Sequence, residues 1–157
     1  MSLSSKLPDR IIKKGIQLAQ KAAVLDEVPV GAVLFNSKTF EIISTGYNKT
    51  ERLFNTTAHA EIECIRKAEK KLKTTHLVGY SLFVTLEPCP MCAGAIGWSK
   101  LDAVYFGATD PKSGGVLVGP KIFTHTQCHH KPAVFFGFMA EQCGQLLSDF
   151  FKGKRKK

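Results

Sequence analysis

Two short motifs bring together side chains that could do chemistry: His59-Ala60-Glu61 and, further along, Pro88-Cys89-Pro90-Met91-Cys92. Two cysteines three apart where a strand gives way to a helix can turn both sulfurs toward one metal. The positive end of the helix dipole also favours thiolate over thiol there. Taken alone, the pair leaves zinc binding, redox chemistry and two unligated cysteines in a turn all open. The histidine motif breaks the tie, because one imidazole and two thiolates make three zinc ligands and leave the fourth tetrahedral position to water. That is the pattern of a catalytic rather than a structural zinc. Zinc brings the pKa of such a water down to about 7. Glu61 is then the general base that takes the water's proton and the general acid that returns it. Neither Cys64 nor Cys128 makes a second close pair. His125, His129 and His130 cluster in sequence, and they read as polar surface or substrate-side residues rather than as a ligand set.

Positioning these groups requires specific elements. Apolar residues at Ile11, Ile12, Ile16, Ala19, Ala22 and Ala23 give residues 8–25 a helical rhythm. Residues 28–35 and 40–45 are β-rich runs joined by Asn36, Ser37 and Lys38, a hairpin. From residue 59 to 72, Ile62, Ile65, Ala68 and Leu72 recur with basic residues between them, an amphipathic helix that starts at the histidine. A short strand at 82–86 ends in the cysteine motif, and a helix of small residues follows over 91–98. Strands at 103–106 and 134–136 and a closing helix from about residue 139 complete the chain. Strands alternating with helices after a hairpin predict an α/β fold, a three-layer α/β/α sandwich around a central mixed sheet of about five strands.

A chain of 157 residues fits one domain, 1–157, whose end at 152–157 is a basic tail of four Lys, one Arg and one Gly. Its hydrophobic content of 44% and charged content of 22% belong to an ordinary soluble protein. No apolar run reaches the ~20 residues of a membrane span, and the start lacks the apolar stretch of a secretory signal, so the expected address is cytoplasmic. Five cysteines, an odd number, argue against a disulfide framework. A net charge of +9 suits a polyanionic partner, nucleic acid first. The tail reads equally as a phosphate grip or as a solvated, frayed terminus.

The combination of His59, Glu61, Cys89 and Cys92 resembles the cytidine-deaminase-like zinc deaminases. Over about residues 28–152 the chain looks like the bacterial tRNA-specific adenosine deaminases of that superfamily. The stretches 27–33, 57–62, 84–96 and 147–151 carry the likeness, the last being more specific to the tRNA enzymes than the zinc motif. The resemblance implies one Zn2+ per subunit held by His59, Cys89 and Cys92, with Glu61 moving protons. It also implies that Asn48 hydrogen-bonds the target base and that Asp110 contacts the nucleotide backbone near it. Read without the resemblance, Asn48 and Asp110 are turn residues. The implied substrate is a tRNA anticodon loop, an arginine tRNA being the expected one, with wobble adenosine converted to inosine by a homodimer. Thr109 stands where the family has an arginine, and His129-His130 where an Asn-His pair is usual. The Gly97-Trp98 pair also resembles guanine deaminases of the superfamily, which keeps a free guanine or cytosine/nucleoside deaminase as the nearest alternative. A non-catalytic RNA-binding module with a structural zinc is more remote, since it would need a fourth protein ligand and no Glu61.

Overall fold

The computed structural model describes residues 3–155. Helix α1 (Asp9–Val24) begins after Pro8, carries Asp9 in its first turn and Lys21 in its last, and buries Ile11, Ile12, Gly15, Leu18, Ala19 and Ala22 along one stripe. Strands β1 (Gly31–Asn36) and β2 (Ile42–Tyr47) follow, then helix α2 (Ala60–Leu72) and strand β3 (Tyr80–Leu86). Helix α3 (Pro90–Trp98) leads to strand β4 (Ala103–Ala108). A 3-10 turn (Ile122–Thr124) precedes strand β5 (Ala133–Phe136), and helix α4 (Ala140–Arg155) comes last.

The five strands form one sheet in the order β2-β1-β3-β4-β5. β1 is antiparallel to both β2 and β3, whereas β3–β4 and β4–β5 are parallel. Successive side chains of a strand face opposite ways, and the strands obey this rule. Ala32, Leu34, Leu82, Val84, Val104 and Phe106 enter one apolar cluster, together with Ala60, Cys64, Ile65 and Ala68 of α2 and Ala93 and Ile96 of α3. Val33, Phe35, Phe83 and Tyr105 enter the other, together with Ile11, Ile12 and Leu18 of α1 and Phe138 and Met139 before α4. The sandwich is therefore three-layered, as the sequence predicts, with α2 and α3 on one face of a mixed sheet and α1 on the other. No helix among the described residues is long and apolar enough to cross a membrane.

Close approach of α2 fixes the site's position. A Cβ on Gly46 of β2 would lie 2.5 Å from the Ala60 carbonyl oxygen, so only glycine lets the first turn of α2 settle this near the sheet.

Two expectations shift. The hairpin strands run over 31–36 and 42–47 rather than 28–35 and 40–45. Phe40 adopts a left-handed φ of 61° that ends the extended run, and its carbonyl accepts a hydrogen bond from Arg10. Pro29 has no N–H to offer a ladder, and residues 28–30 form a turn in which the Val30 N–H donates to the Val28 carbonyl. Nor does a frayed terminus describe the tail over 152–155, which continues α4, with Lys154 Nζ 2.7 Å from Asp26 Oδ1. Lys156 and Lys157 lie outside the described residues.

Candidate active site

His59 and Cys89 occupy equivalent places, each in extended backbone immediately before a helix, α2 and α3 respectively. Pro90 takes the first helical position of α3, where a missing N–H costs nothing and a fixed φ starts the turn. One turn on, Cys92 comes back to the same spot. His59 Nδ1 lies 3.7 Å from Cys89 Sγ and 3.5 Å from Cys92 Sγ. The three ligand atoms all fall within 4.8 Å of one another, the one such group of His, Cys, Asp or Glu found among the described residues. Two thiols and an imidazole converging at this range fit the donor preferences of zinc. Cys92 is buried and the other two are half-buried, so the cluster opens to one side.

Electrostatics prepare the same cluster. The hydrogen bond from Cys92, helped by His59, draws the Cys89 thiol down to about 4, so one thiolate is present at neutral pH. The same hydrogen bond raises Cys92. His59 is raised, chiefly by its contact with Cys89. Glu61 is only 4% exposed. Burial is the main cause that lifts its carboxyl to about 7, with the charge of Cys89 adding to it. A carboxyl poised there can both accept and return a proton near neutrality.

A cavity of about 590 Å³ holds His59, Glu61 and Cys89 on its wall together with Asn48, Asp110 and Phe54. The structure thus brings five of the six sequence-predicted site residues to the cavity wall, and the sixth, Cys92, lies buried beside His59. Asn48 follows β2 and is buried, its N–H donating to the Val30 carbonyl. Asp110 keeps the turn role as well, since its Oδ1 accepts the N–H groups of Lys112 and Ser113, both at 3.1 Å.

Other expectations part company with the site. His125, His129 and His130 line a separate cavity of about 290 Å³ beside Gly94, Gly97 and Trp98 of α3, so the substrate-side reading does not hold for the catalytic cavity. His130 Nε2 donates to the Leu101 carbonyl at 2.6 Å. Cys64 lies on the buried face of α2 with its thiol pushed up to about 12 by burial, and Cys128 donates to the His130 carbonyl. Thr109 belongs to a third hollow, of about 900 Å³, bounded by Lys112 and by Phe151, Lys152 and Arg155 of α4.

Two buried carboxylates that sequence reasoning did not single out build the cavity walls. Glu87, 2% exposed, accepts the N–H of Asp110 on Oε1 at 3.0 Å. Its Oε2 accepts those of Val116, Leu117 and Val118 at 3.1, 2.8 and 3.2 Å. Gly114 passes so near that a Cβ there would sit 2.6 Å from this carboxylate. Glu27, 1% exposed, accepts the N–H groups of Glu51 and Arg52 at 3.1 and 2.7 Å and so fixes the opposite lip. The available signal was an acidic residue set between an apolar run and a proline, at Glu27-Val28-Pro29 and Leu86-Glu87-Pro88.

Comparison with known proteins gives the chain's family. The model of the MafB19-like deaminases matches residues 8–155. The tRNA-specific adenosine deaminase of Bacillus subtilis is 44% identical over 148 residues, 93% of this chain and 89% of that protein. That of Agrobacterium fabrum is 43% identical over 137 residues, 87% of this chain and 89% of its own. A solved structure from a study of A-to-I editing by tRNA:A34 deaminases at the wobble position superposes with a TM-score of 0.86 at 39% identity. That match covers 89% of this chain and 100% of the other.

Proposed function

The chain belongs to the MafB19-like deaminase family, alongside tRNA-specific adenosine deaminases, and from that premise we propose that it converts adenosine to inosine at the wobble position of a tRNA anticodon. The observation that carries the reading is the cluster of His59, Cys89 and Cys92 set beside the buried Glu61, with His59, Cys89 and Glu61 on the wall of one cavity. The cavity's size lies within the ~300–1,000 Å³ of small-ligand sites, enough for a single base turned out of its loop.

His59, Cys89 and Cys92 would hold zinc, one ion per subunit, and the ion would supply an acidified water beside C6 of adenine. Glu61 takes a proton from that water and passes it to N1 of the ring as the new C6–O bond forms. A second proton goes through the same carboxylate to the amino group, and the C6–N bond breaks with ammonia leaving. Water and adenosine are consumed, inosine and ammonia appear, and Glu61 ends as it began. Asn48 hydrogen-bonds the base edge, and Asp110 contacts the backbone beside it. The hollow bounded by Lys112, Lys152 and Arg155 offers cations for phosphates. The full reading is one domain acting in the cytoplasm as a homodimer on an arginine tRNA.

The test is an inosine assay on an arginine tRNA anticodon stem-loop with adenosine at the wobble position, run beside free guanine and cytidine. Inosine from the stem-loop, abolished in Glu61→Ala with zinc content kept, is the expected result. Turnover of a free base with the stem-loop untouched would move the enzyme to nucleobase salvage.

A further inference from the structure

We propose that Phe54 is a stacking platform for an unpaired base next to the target nucleotide, a subsite that rests on the tRNA reading above. Phe54 is 95% exposed, and its neighbour Leu53 is 52% exposed. Phe54 borders the same cavity as His59 and Glu61. The backbone at Phe54 has φ 50°, a left-handed conformation that bulky side chains seldom adopt.

A loose loop would relax such a residue, and this loop is tied down at both ends. Glu27 grips the N–H groups of Glu51 and Arg52 from inside the fold. The Asn55 N–H donates to the Thr50 carbonyl at 3.0 Å, and Asn55 Oδ1 accepts the Thr57 N–H at 3.0 Å. The chain therefore spends backbone strain to hold an apolar ring in water, and no packing inside the fold repays it. Strain of this kind gathers at ligand clamps.

A ligand that would repay it follows from the reaction. Turning one base out of an anticodon loop leaves its neighbours without a stacking partner on that side. An aromatic ring at the lip of the cavity replaces the lost partner for whichever neighbour reaches it. Arg52, exposed beside it, supplies positive charge for the adjoining phosphate.

Phe54→Ala should raise KM for the anticodon stem-loop about 5- to 150-fold, the range of one lost base–aromatic stack. The kcat should stay within a few-fold, because stacking binds ground and transition states alike. Zinc content should not move, and Phe54→Trp should restore KM. Stem-loops with an abasic site immediately 5′ or 3′ of the target locate the partner. At one of the two positions the wild type should lose about as much as Phe54→Ala loses, and the variant should lose nothing further. An unchanged KM in Phe54→Ala, or fully additive losses with both abasic sites, overturns the platform while leaving the deaminase reading intact. A shift in sedimentation with KM unchanged overturns it too and assigns the ring to contact between copies. A wild-type chain inert on the stem-loop removes the tRNA reading and the platform together.

Discussion

Glu87 offers a way to separate the zinc site from the wall opposite it. Its Oε2 accepts three backbone N–H groups and its Oε1 accepts one, that of Asp110. In Glu87→Gln the amide oxygen settles where it keeps three bonds, on Val116, Leu117 and Val118. The amide NH2 then meets the Asp110 N–H, donor against donor. The loss is one charge-assisted hydrogen bond plus an orphaned N–H, about 2 kcal/mol. Glu87→Ala orphans all four donors and should cost about 3–5 kcal/mol, the range for breaking a buried charged network. Urea unfolding of the zinc-loaded protein under reducing conditions reads both values. Function should follow a different order. Glu87→Gln releases chiefly Asp110, so kcat/KM on the stem-loop should fall roughly tenfold to a hundredfold, as for a group shifted by about an ångström, with zinc retained. A Gln variant within about 0.5 kcal/mol of wild type, or one indistinguishable from Ala in both stability and kcat/KM, would refute the brace.

Cys89→Ala should drop zinc from about one ion per chain to near zero by elemental analysis and abolish inosine formation; an alanine variant that keeps its zinc would break the ligand set. The Cys64 thiol, pushed up to about 12 from an ordinary 9.0, should resist iodoacetamide at mildly alkaline pH until the chain unfolds. Because its folded value is the raised one, the associated stability is fully present below pH 9.0 and is lost as pH climbs toward about 12. Rapid native-state labelling of Cys64, or no loss across that window relative to Cys64→Ala, would contradict its burial. Lys152→Ala with Arg155→Ala should flatten the plot of log affinity against log salt by about 0.7 per lost phosphate contact; an unchanged slope would take α4 out of RNA binding.

Much of the fold was legible because its causes are local. The Ile11 to Ala22 stripe, the proline at the start of each of α1 and α3, and the short apolar runs of β1, β3 and β4 each arise from neighbours in the chain. The hairpin boundaries were less so. A left-handed Phe40 held by Arg10 and a turn before β1 closed by the Val30 N–H on the Val28 carbonyl are not registered by an apolar count.

The candidate site divides in the same way. His59, Glu61, Cys89 and Cys92 announced themselves because each pair sits where a helix begins, and the spacing of Cys89 and Cys92 brings their sulfurs to one side of α3's first turn. That the two pairs meet depends on β3 lying beside β1 in the sheet and on Gly46 admitting α2 close against β2. The histidines at 125, 129 and 130, read as polar surface or substrate-side residues, line a separate cavity beside α3. The sequence by itself determined which chemistry the chain can perform, because ligand type and local spacing are properties of short segments. Only the tertiary structure decided what surrounds that chemistry. Glu27 and Glu87 hold loops more than twenty residues away, and Phe54 stands exposed at the lip, through hydrogen bonds and burial that exist only once the sheet has brought distant segments together.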